Sequence, residues 1–405
     1  MGKIRIQIGI YALSMLAMAS LVVSPIIGLI TQAFPGSSIS SVQMIISVSN
    51  LTGLVAAFVV GKLATSIPKR TLGLFGAAGT FIFGVAPYFF HESVLVLVVF
   101  SGLVGVTVGF MTNVIPALIA DYFDGNERQA VMGRYVAASS IGAMVMQYLS
   151  GALGTINYPT AYLAYTFAGI VFVIALICLP KIDETLQRSQ QRTDDQHVSL
   201  SQVFNGRVVA LMLIGFSFMV VNNVWNNNLS LFLSQEQLGN SNTAGIISML
   251  VQIGGLISGL VMGQLAKLAR NYLLGGAFLL TGISFLLLVF SSNLTLVVLA
   301  AFIDGFAMSM YFAQGPFMMT LLVPGVLIPM GSALLNAAGG VGGFAQPLLI
   351  NSLSHALGNT TAKSALLIGA ALSFVIAIIV YLTRFQRKCL SNETANGTVA
   401  NSSAQ

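Results

Sequence analysis

Long apolar stretches recur along almost the whole chain, and each has about the length that an α-helix needs to cross a lipid bilayer. Such a helix requires about 20 apolar residues to cover about 30 Å of hydrocarbon. Proline, glycine, asparagine and clustered charges separate twelve of these stretches. They predict membrane-spanning helices at residues 6–30, 40–63, 71–90, 94–120, 129–153, 160–180, 207–233, 241–265, 272–291, 294–322, 327–353 and 362–384.

The scarcity of charge supports the same prediction. Only 7% of the 405 residues are charged and 56% are hydrophobic, whereas a soluble domain carries about a quarter charged residues. Because so few charges cannot cover a water-exposed surface, lipid must solvate most of the chain. The sequence therefore predicts an all-α integral membrane protein.

Lysine and arginine fall on one side of the predicted bilayer, and Lys363 is the exception among the 17 basic residues. That side is cytoplasmic by the positive-inside rule, so both termini are expected in the cytoplasm. The net charge of +6 then follows from topology and requires no nucleic-acid partner.

The two halves of the chain resemble each other at an offset near 200 residues. Chance similarity between glycine-rich helices is the alternative explanation. We predict six-helix bundles at residues 1–180 and 207–388, a cytoplasmic linker at 181–206 and a disordered cytoplasmic tail at 389–405. The corresponding positions are Gly53 and Gly255, Gly105 and Gly305, Pro116 and Pro316, Gly133 and Gly331, and Gly142 and Gly340.

The segment after the second span, residues 61–70, resembles the loop signature Gly-x-Leu-x-Asp-Arg-x-Gly-Arg-Arg/Lys of the major facilitator superfamily. Gly61, Leu63, Lys69 and Arg70 match that signature. Thr65, Ser66 and Pro68 stand where the family has Asp, Arg and Gly. Together with twelve spans and the repeat, this makes the chain similar to the drug:proton antiporter and sugar-efflux branch.

The resemblance implies transport by alternating access, with a substrate site between two pseudo-symmetric bundles near the midplane. It also implies a gating role for the charged segments after the second and fourth spans. The residues concerned are Gly61, Lys69, Arg70, Asp121 and Arg128.

Asp304 is the one acidic residue within the core of a predicted span. A carboxyl group inside a membrane is costly, so its presence indicates a function. We predict that it couples transport to protons. Pairing with a cationic substrate and a hydrogen bond to a neighbouring helix are the alternatives.

Amide side chains are concentrated in the seventh span, around Trp225, the single tryptophan. Because amides facing lipid would be costly, they are expected to line a wet cavity or a broken helix. Polarity at a helix end, and a membrane-interface anchor for Trp225, are the alternatives. The predicted substrate-binding residues are Asn222, Asn223, Trp225, Asn226, Asn113, Tyr311, Gln314 and Asn336.

We therefore expect a secondary transporter in the plasma membrane that exports a small organic solute with protons or another coupling ion. A facilitator or symporter for a neutral nutrient such as a sugar is the alternative. A non-transporting receptor or assembly partner is the alternative of another class. No enzymatic activity, cofactor or metal is expected, and the chain is expected to be monomeric in the bilayer.

Overall fold

The structure is a computed structural model. It describes residues 3–63, 66–123, 125–180, 205–269, 271–323 and 328–390, without the side chains of residues 61, 62, 125, 126, 128–130, 328 and 329. The predicted disorder after residue 390 and most of the predicted linker lie outside the described residues.

Twelve long helical segments make up the described part of the chain. Eleven are long and apolar enough to cross a membrane, and α9 is a shorter apolar helix. The prediction of an all-α integral membrane protein with twelve transmembrane helices is confirmed. The segments are α1 Lys3–Ala33, α2 Ile39–Leu63, α3 Lys69–Phe89, α4 Val94–Tyr122, α5 Gly125–Gly154, α6 Tyr158–Cys178, α7 Gly206–Gln235, α8 Ser241–Leu268, α9 Leu273–Val289, α10 Leu294–Leu322, α11 Ile328–Ala356 and α12 Ala362–Leu382.

Helix α1, predicted as one membrane-spanning helix at residues 6–30, is not a continuous α-helix. An α-helical run ends at Ser14, a 3₁₀ stretch covers Ala19–Ile26, and α-helix resumes at Ile27. Pro25 lies inside the 3₁₀ stretch, where its missing N–H and fixed φ disfavour regular α-helix. This change of helix type alters which backbone groups of α1 are available to neighbours.

The helices group into two compact units. The first comprises Met1–Gln196 and Asn226–Gln252, and the second comprises His197–Trp225 and Ile253–Gln405. The predicted two-bundle division, at residues 1–180 and 207–388, stays a prediction.

The same glycine-to-glycine contact occurs once in each unit, at positions that the repeat relates. A Cβ added to Gly53 of α2 would lie 3.2 Å from the carbonyl oxygen of Gly105 in α4. A Cβ added to Gly255 of α8 would lie 3.5 Å from the carbonyl oxygen of Gly305 in α10. Small residues allow such close backbone approach in membranes, so the repeated glycines position α4 and α10.

Candidate functional site

Asp304 lies on the buried face of α10 and is 1% exposed. Its two carboxylate oxygens have no hydrogen-bond partner among the described residues. One turn earlier, the Ala300 carbonyl accepts a hydrogen bond from the Ser284 hydroxyl of α9 at 2.9 Å. A buried polar group without a partner costs about 2–7 kcal/mol. No hydrogen bond within the described residues offsets the cost of burying this carboxyl group.

Tyr311 lies seven residues after Asp304, so the two share one face of α10. The Tyr311 ring stacks on Phe218 of α7, with ring centroids 3.7 Å apart. A Cβ added to Gly215 of α7 would lie 3.0 Å from the Tyr311 hydroxyl oxygen. Glycine at residue 215 thus leaves space for the tyrosine, which holds α7 and α10 together.

Trp225 is buried in the second unit at 1% exposure. Its ring stacks on Phe285 of α9, with centroids 6.2 Å apart and planes 24° apart. Its indole Nε1 has no hydrogen-bond partner among the described residues. This burial argues against a lipid-exposed interface anchor, and it leaves an indole N–H available to a ligand.

The other predicted binding residues of the second unit have different surroundings. Asn222 and Asn223 are buried, and Asn223 donates its side-chain amide to its own helix at Met219 O, 2.9 Å away. Asn336 is exposed on α11. In the first unit, the exposed Asn113 donates to Gly109 O of α4 at 2.8 Å.

Gln314 belongs to a hydrogen-bonded chain near one end of the second unit. Gln386 donates to the Gln314 side-chain oxygen at 3.3 Å and accepts from Leu274 N at 2.8 Å. Gln386 is thereby bonded to an otherwise free amide in the first turn of α9. In this conformation, Gln314 takes part in a contact that fixes α9 and α10.

A polar seam joins α1 to the last turns of α7 inside the first unit. We call it the α1–α7 seam, formed by Ser24, Gly28 and Gln32 with Asn226, Ser230 and Ser234. The paired positions are each 202 residues apart. The contacts are Ser24 Oγ to Asn226 O at 2.6 Å, Gly28 N to Ser230 Oγ at 3.2 Å, and Gln32 Nε2 to Ser234 Oγ at 2.7 Å.

The break in α1 explains the central contact of this seam. Ile27 N bonds to Ser24 O where the 3₁₀ stretch ends, which leaves Gly28 N to bond elsewhere. The Ser230 hydroxyl accepts from Gly28 N and donates to Pro25 O at 2.7 Å. One hydroxyl therefore completes the backbone hydrogen bonding on both sides of the junction.

Helix α2 extends the polar contact with α7. Gln43 donates to the Asn228 side-chain oxygen at 3.0 Å, and Asn227 donates to the Ser47 hydroxyl at 3.1 Å. Asn226, by contrast, contributes its backbone carbonyl to the α1–α7 seam. Three of the clustered asparagines are thus in helix-to-helix contacts within the first unit.

Sequence reasoning missed Ser24, Gln43, Ser47 and Ser230. A signal was present for the α1–α7 seam, because each of its three pairs stands 202 residues apart, the same offset that relates Gly53 to Gly255. The i,i+4 spacing of Ser24, Gly28 and Gln32 places them on one helix face, and the seventh-span partners have the same spacing.

The predicted gating residues lie at the other end of the first unit. Lys69 Nζ at the start of α3 is 2.5 Å from Asp121 Oδ2 near the end of α4. Arg70 donates to Leu176 O of α6 at 3.0 Å. Gly61 lies near the end of α2, and the side chain of Arg128 lies outside the described part of the structure.

Comparison with known families gives a match over most of the chain. The sequence profile described as Major Facilitator Superfamily matches residues 9–274 and residues 226–396. Among curated proteins, the chain is 24% identical over 361 residues to the "Putative glycerol-3-phosphate transporter 2" of Arabidopsis thaliana. That alignment covers 74% of this chain and 69% of the relative.

A shorter match links the chain to the "Proton myo-inositol cotransporter hmit-1.1" of Caenorhabditis elegans. The identity is 23% over 169 residues, covering 40% of this chain and 28% of the relative. Among solved structures, the POT family transporter PepTSo superposes with a TM-score of 0.74 at 11% identity. The superposition covers 96% of this chain and 99% of PepTSo. At this sequence identity it shows a similarity of fold alone.

Proposed function

The chain belongs to the Major Facilitator Superfamily, and on that premise we propose that it is a proton-coupled secondary transporter that moves a small organic solute by alternating access. We further propose that it lies in the plasma membrane as a monomer, with both termini in the cytoplasm. The positive-inside pattern of the sequence supports this orientation.

Asp304 carries the proposal. Its carboxyl group is buried and has no hydrogen-bond partner among the described residues. A carboxyl group in that setting can accept and release a proton when the protein opens to one side of the membrane and then to the other. We assign Asp304 the role of the coupling group.

The polar and charged side chains of the described helices favour an uncharged or weakly cationic solute. Lysines and arginines in the described helices lie in the terminal third of their helices, as Arg134 does in α5. Strongly anionic solutes such as organophosphates are commonly held by paired cationic donors. Aromatic rings, amides and one carboxyl group instead suit a neutral polyol or an amphipathic amine, with Trp225 and Tyr311 as candidate contacts.

Two contacts of the first unit support alternating access. We propose that the α1–α7 seam is the gate on the extracellular side. We propose that the pair formed by Lys69 and Asp121 belongs to the gate on the cytoplasmic side. Hydroxyl and amide contacts suit a gate because water can replace them when the helices part.

Export is the proposed direction, and proton-driven uptake of a neutral polyol is the second candidate. The similarity to the proton myo-inositol cotransporter favours the second candidate. In either direction, the coupling carboxyl group and the two gates would have the same roles.

Purified protein in proteoliposomes tests the proposal. The probes are radiolabelled myo-inositol and radiolabelled tetraphenylphosphonium, each with an imposed pH gradient and with equal pH. We expect gradient-driven accumulation of one probe in the wild type, its loss in Asp304→Asn, and retained exchange at equal pH in that variant. Asp304→Glu is the conservative control and should keep part of the coupling.

The orientation of the pH gradient that drives accumulation of the probe distinguishes export from uptake. Accumulation that survives intact in Asp304→Asn would show that Asp304 is not the coupling group. No flux of either probe, or of solutes that raise the melting temperature in a thermal-shift screen, would instead support the non-transporting alternative.

A further inference from the structure

A small cavity lies in the first unit beside the connection between α3 and α4. Its volume is about 190 Å³, and it is lined by Phe90, Glu92, Val96 and Phe100. The rings of Phe90 and Phe100 are 6.1 Å apart between centroids, with planes 23° apart. Two near-parallel rings and one exposed carboxylate therefore line an open space of several water volumes.

The turn that carries Glu92 is held from both sides. Ser93 is the N-cap of α4, and its hydroxyl accepts from Val96 N at 3.4 Å. The Tyr158 hydroxyl donates to His91 O at 2.9 Å. Because both neighbours of Glu92 are anchored, its backbone position is fixed relative to the two rings.

The surroundings of the cavity are apolar and face outward. Phe89, Leu95 and Val99 are 67%, 72% and 54% exposed. In a chain whose helices cross the membrane, such side chains contact lipid acyl tails. A carboxylate at a helix end beside them lies at the depth of lipid headgroups, where tyrosines such as Tyr158 are also concentrated.

We propose that this cavity binds the ammonium headgroup of a membrane phospholipid, phosphatidylethanolamine in particular. The Glu92 carboxylate would accept N–H bonds from the ammonium, which are stronger than bonds between neutral groups. The rings of Phe90 and Phe100 would add cation–π attraction. The acyl chains of the same lipid would lie along Phe89, Leu95 and Val99, which is why a lipid suits the site better than a soluble amine.

Lipid retention by the purified full-length chain tests this site. The protein is exchanged into vesicles of phosphatidylethanolamine, phosphatidylcholine or phosphatidylglycerol, and retained lipid is counted by native mass spectrometry. We expect preferential retention of phosphatidylethanolamine and a loss of about tenfold in its affinity in Glu92→Gln. Glu236→Gln, which changes an exposed carboxylate just after α7, is the matched control and should keep the preference.

A second variant separates the ring contribution from the charge. Phe100→Leu keeps an apolar side chain but removes the ring, so it should weaken phosphatidylethanolamine binding while phosphatidylglycerol binding stays unchanged. The proposal is overturned if Glu92→Gln retains the lipid preference. It is also overturned if phosphatidylglycerol binds equally well, or if soluble phosphoethanolamine displaces the lipid at equal concentration.

Discussion

Lys69 and Asp121 form an ion pair at 2.5 Å, and both side chains are only 13% exposed. The pair joins the first residue of α3 to the penultimate residue of α4. A second ion pair, Lys3 with Glu127, is 66% and 40% exposed. Because surrounding water screens charges much less in a buried pair, the two contacts should differ in their importance for stability.

Asp121→Asn should destabilise the protein strongly. The substitution leaves the Lys69 ammonium largely buried without its counter-charge, and breaking a buried pair costs about 3–5 kcal/mol. Glu127→Gln should cost less than about 1 kcal/mol, as is typical of exposed pairs. Thermal unfolding in detergent, followed by a thiol-independent fluorescence signal, measures both.

Removing both charges supplies the second half of this test. Lys69→Met combined with Asp121→Leu should recover most of the lost stability, since no uncompensated charge remains. A double variant as unstable as Asp121→Asn would show that the uncompensated charge of Lys69 is not the cause of the lost stability. If Asp121→Asn were no less stable than Glu127→Gln, the buried pair would have no special role.

Gly142 should tolerate no side chain. A Cβ there would meet the backbone of Met15 at the break in α1, in contacts far shorter than atoms allow. Overpacking of this kind costs about 1–3 kcal/mol, so Gly142→Ala should lower the melting temperature. Gly133 of the same helix has nothing within 4 Å of its added Cβ. Gly133→Ala should therefore stabilise by up to about 1 kcal/mol, and equal effects of the two changes would contradict this packing.

The positions of the helices could be predicted because a membrane-spanning helix requires little more than a sufficiently long run of apolar residues. The break in α1 was not predictable from Pro25, since Pro87, Pro116 and Pro316 lie inside regular α-helices of the same chain. What differs at α1 is tertiary: α5 approaches at Met15 and Ser230 bonds to the junction. A linear sequence without homologues does not contain that information.

The candidate site was partly predictable for a similar reason. Asp304 stood out because an acid in a span is rare. The partners of Asn227 and Asn228 could not be identified from the sequence. The spanning helices are apolar on most sides, so no polar stripe shows which helix face contacts which neighbour. Ser47 and Gln43 look like ordinary packing residues until the contact with α7 is seen.

Cys389 should be a slow-reacting thiol. It lies beyond α12 in an apolar cluster of the second unit with Val208 and Leu322. Burial raises the pKa of its thiol to about 11, with Arg207 acting in the opposite direction. Since the thiolate is the reactive form, a pKa of 11 leaves roughly two hundredfold less thiolate at pH 8 than a free cysteine has.

Maleimide labelling of the Cys178→Ser variant measures this directly. The rate for Cys389 should be far below that of the same chain unfolded in detergent, and it should rise from pH 8 towards pH 11. A rate at pH 8 equal to that of the unfolded chain would contradict both the burial and the raised pKa.

Gly154 and Ser241 offer a way to lock the first unit. A Cβ added to Gly154, the last residue of α5, would lie 3.2 Å from the Cβ and 3.1 Å from the Oγ of Ser241, the first residue of α8. Disulfide-bonded cysteines have Cβ atoms about 3.5–4.5 Å apart. The Ile26 methyl group, 2.8 Å from that Cβ, has to move aside, and a backbone shift that lengthens the Cβ–Cβ separation by a few tenths of an ångström would bring the pair into range.

Gly154→Cys with Ser241→Cys, in a background lacking both native cysteines, should therefore form a disulfide on mild oxidation. If α5 and α8 separate here during transport, the oxidised protein should lose net flux and a reductant should restore it. Each single variant, treated with the same oxidant, is the control and should keep its flux. A fully cross-linked protein that transports at the unlocked rate would show that this contact stays closed throughout the cycle.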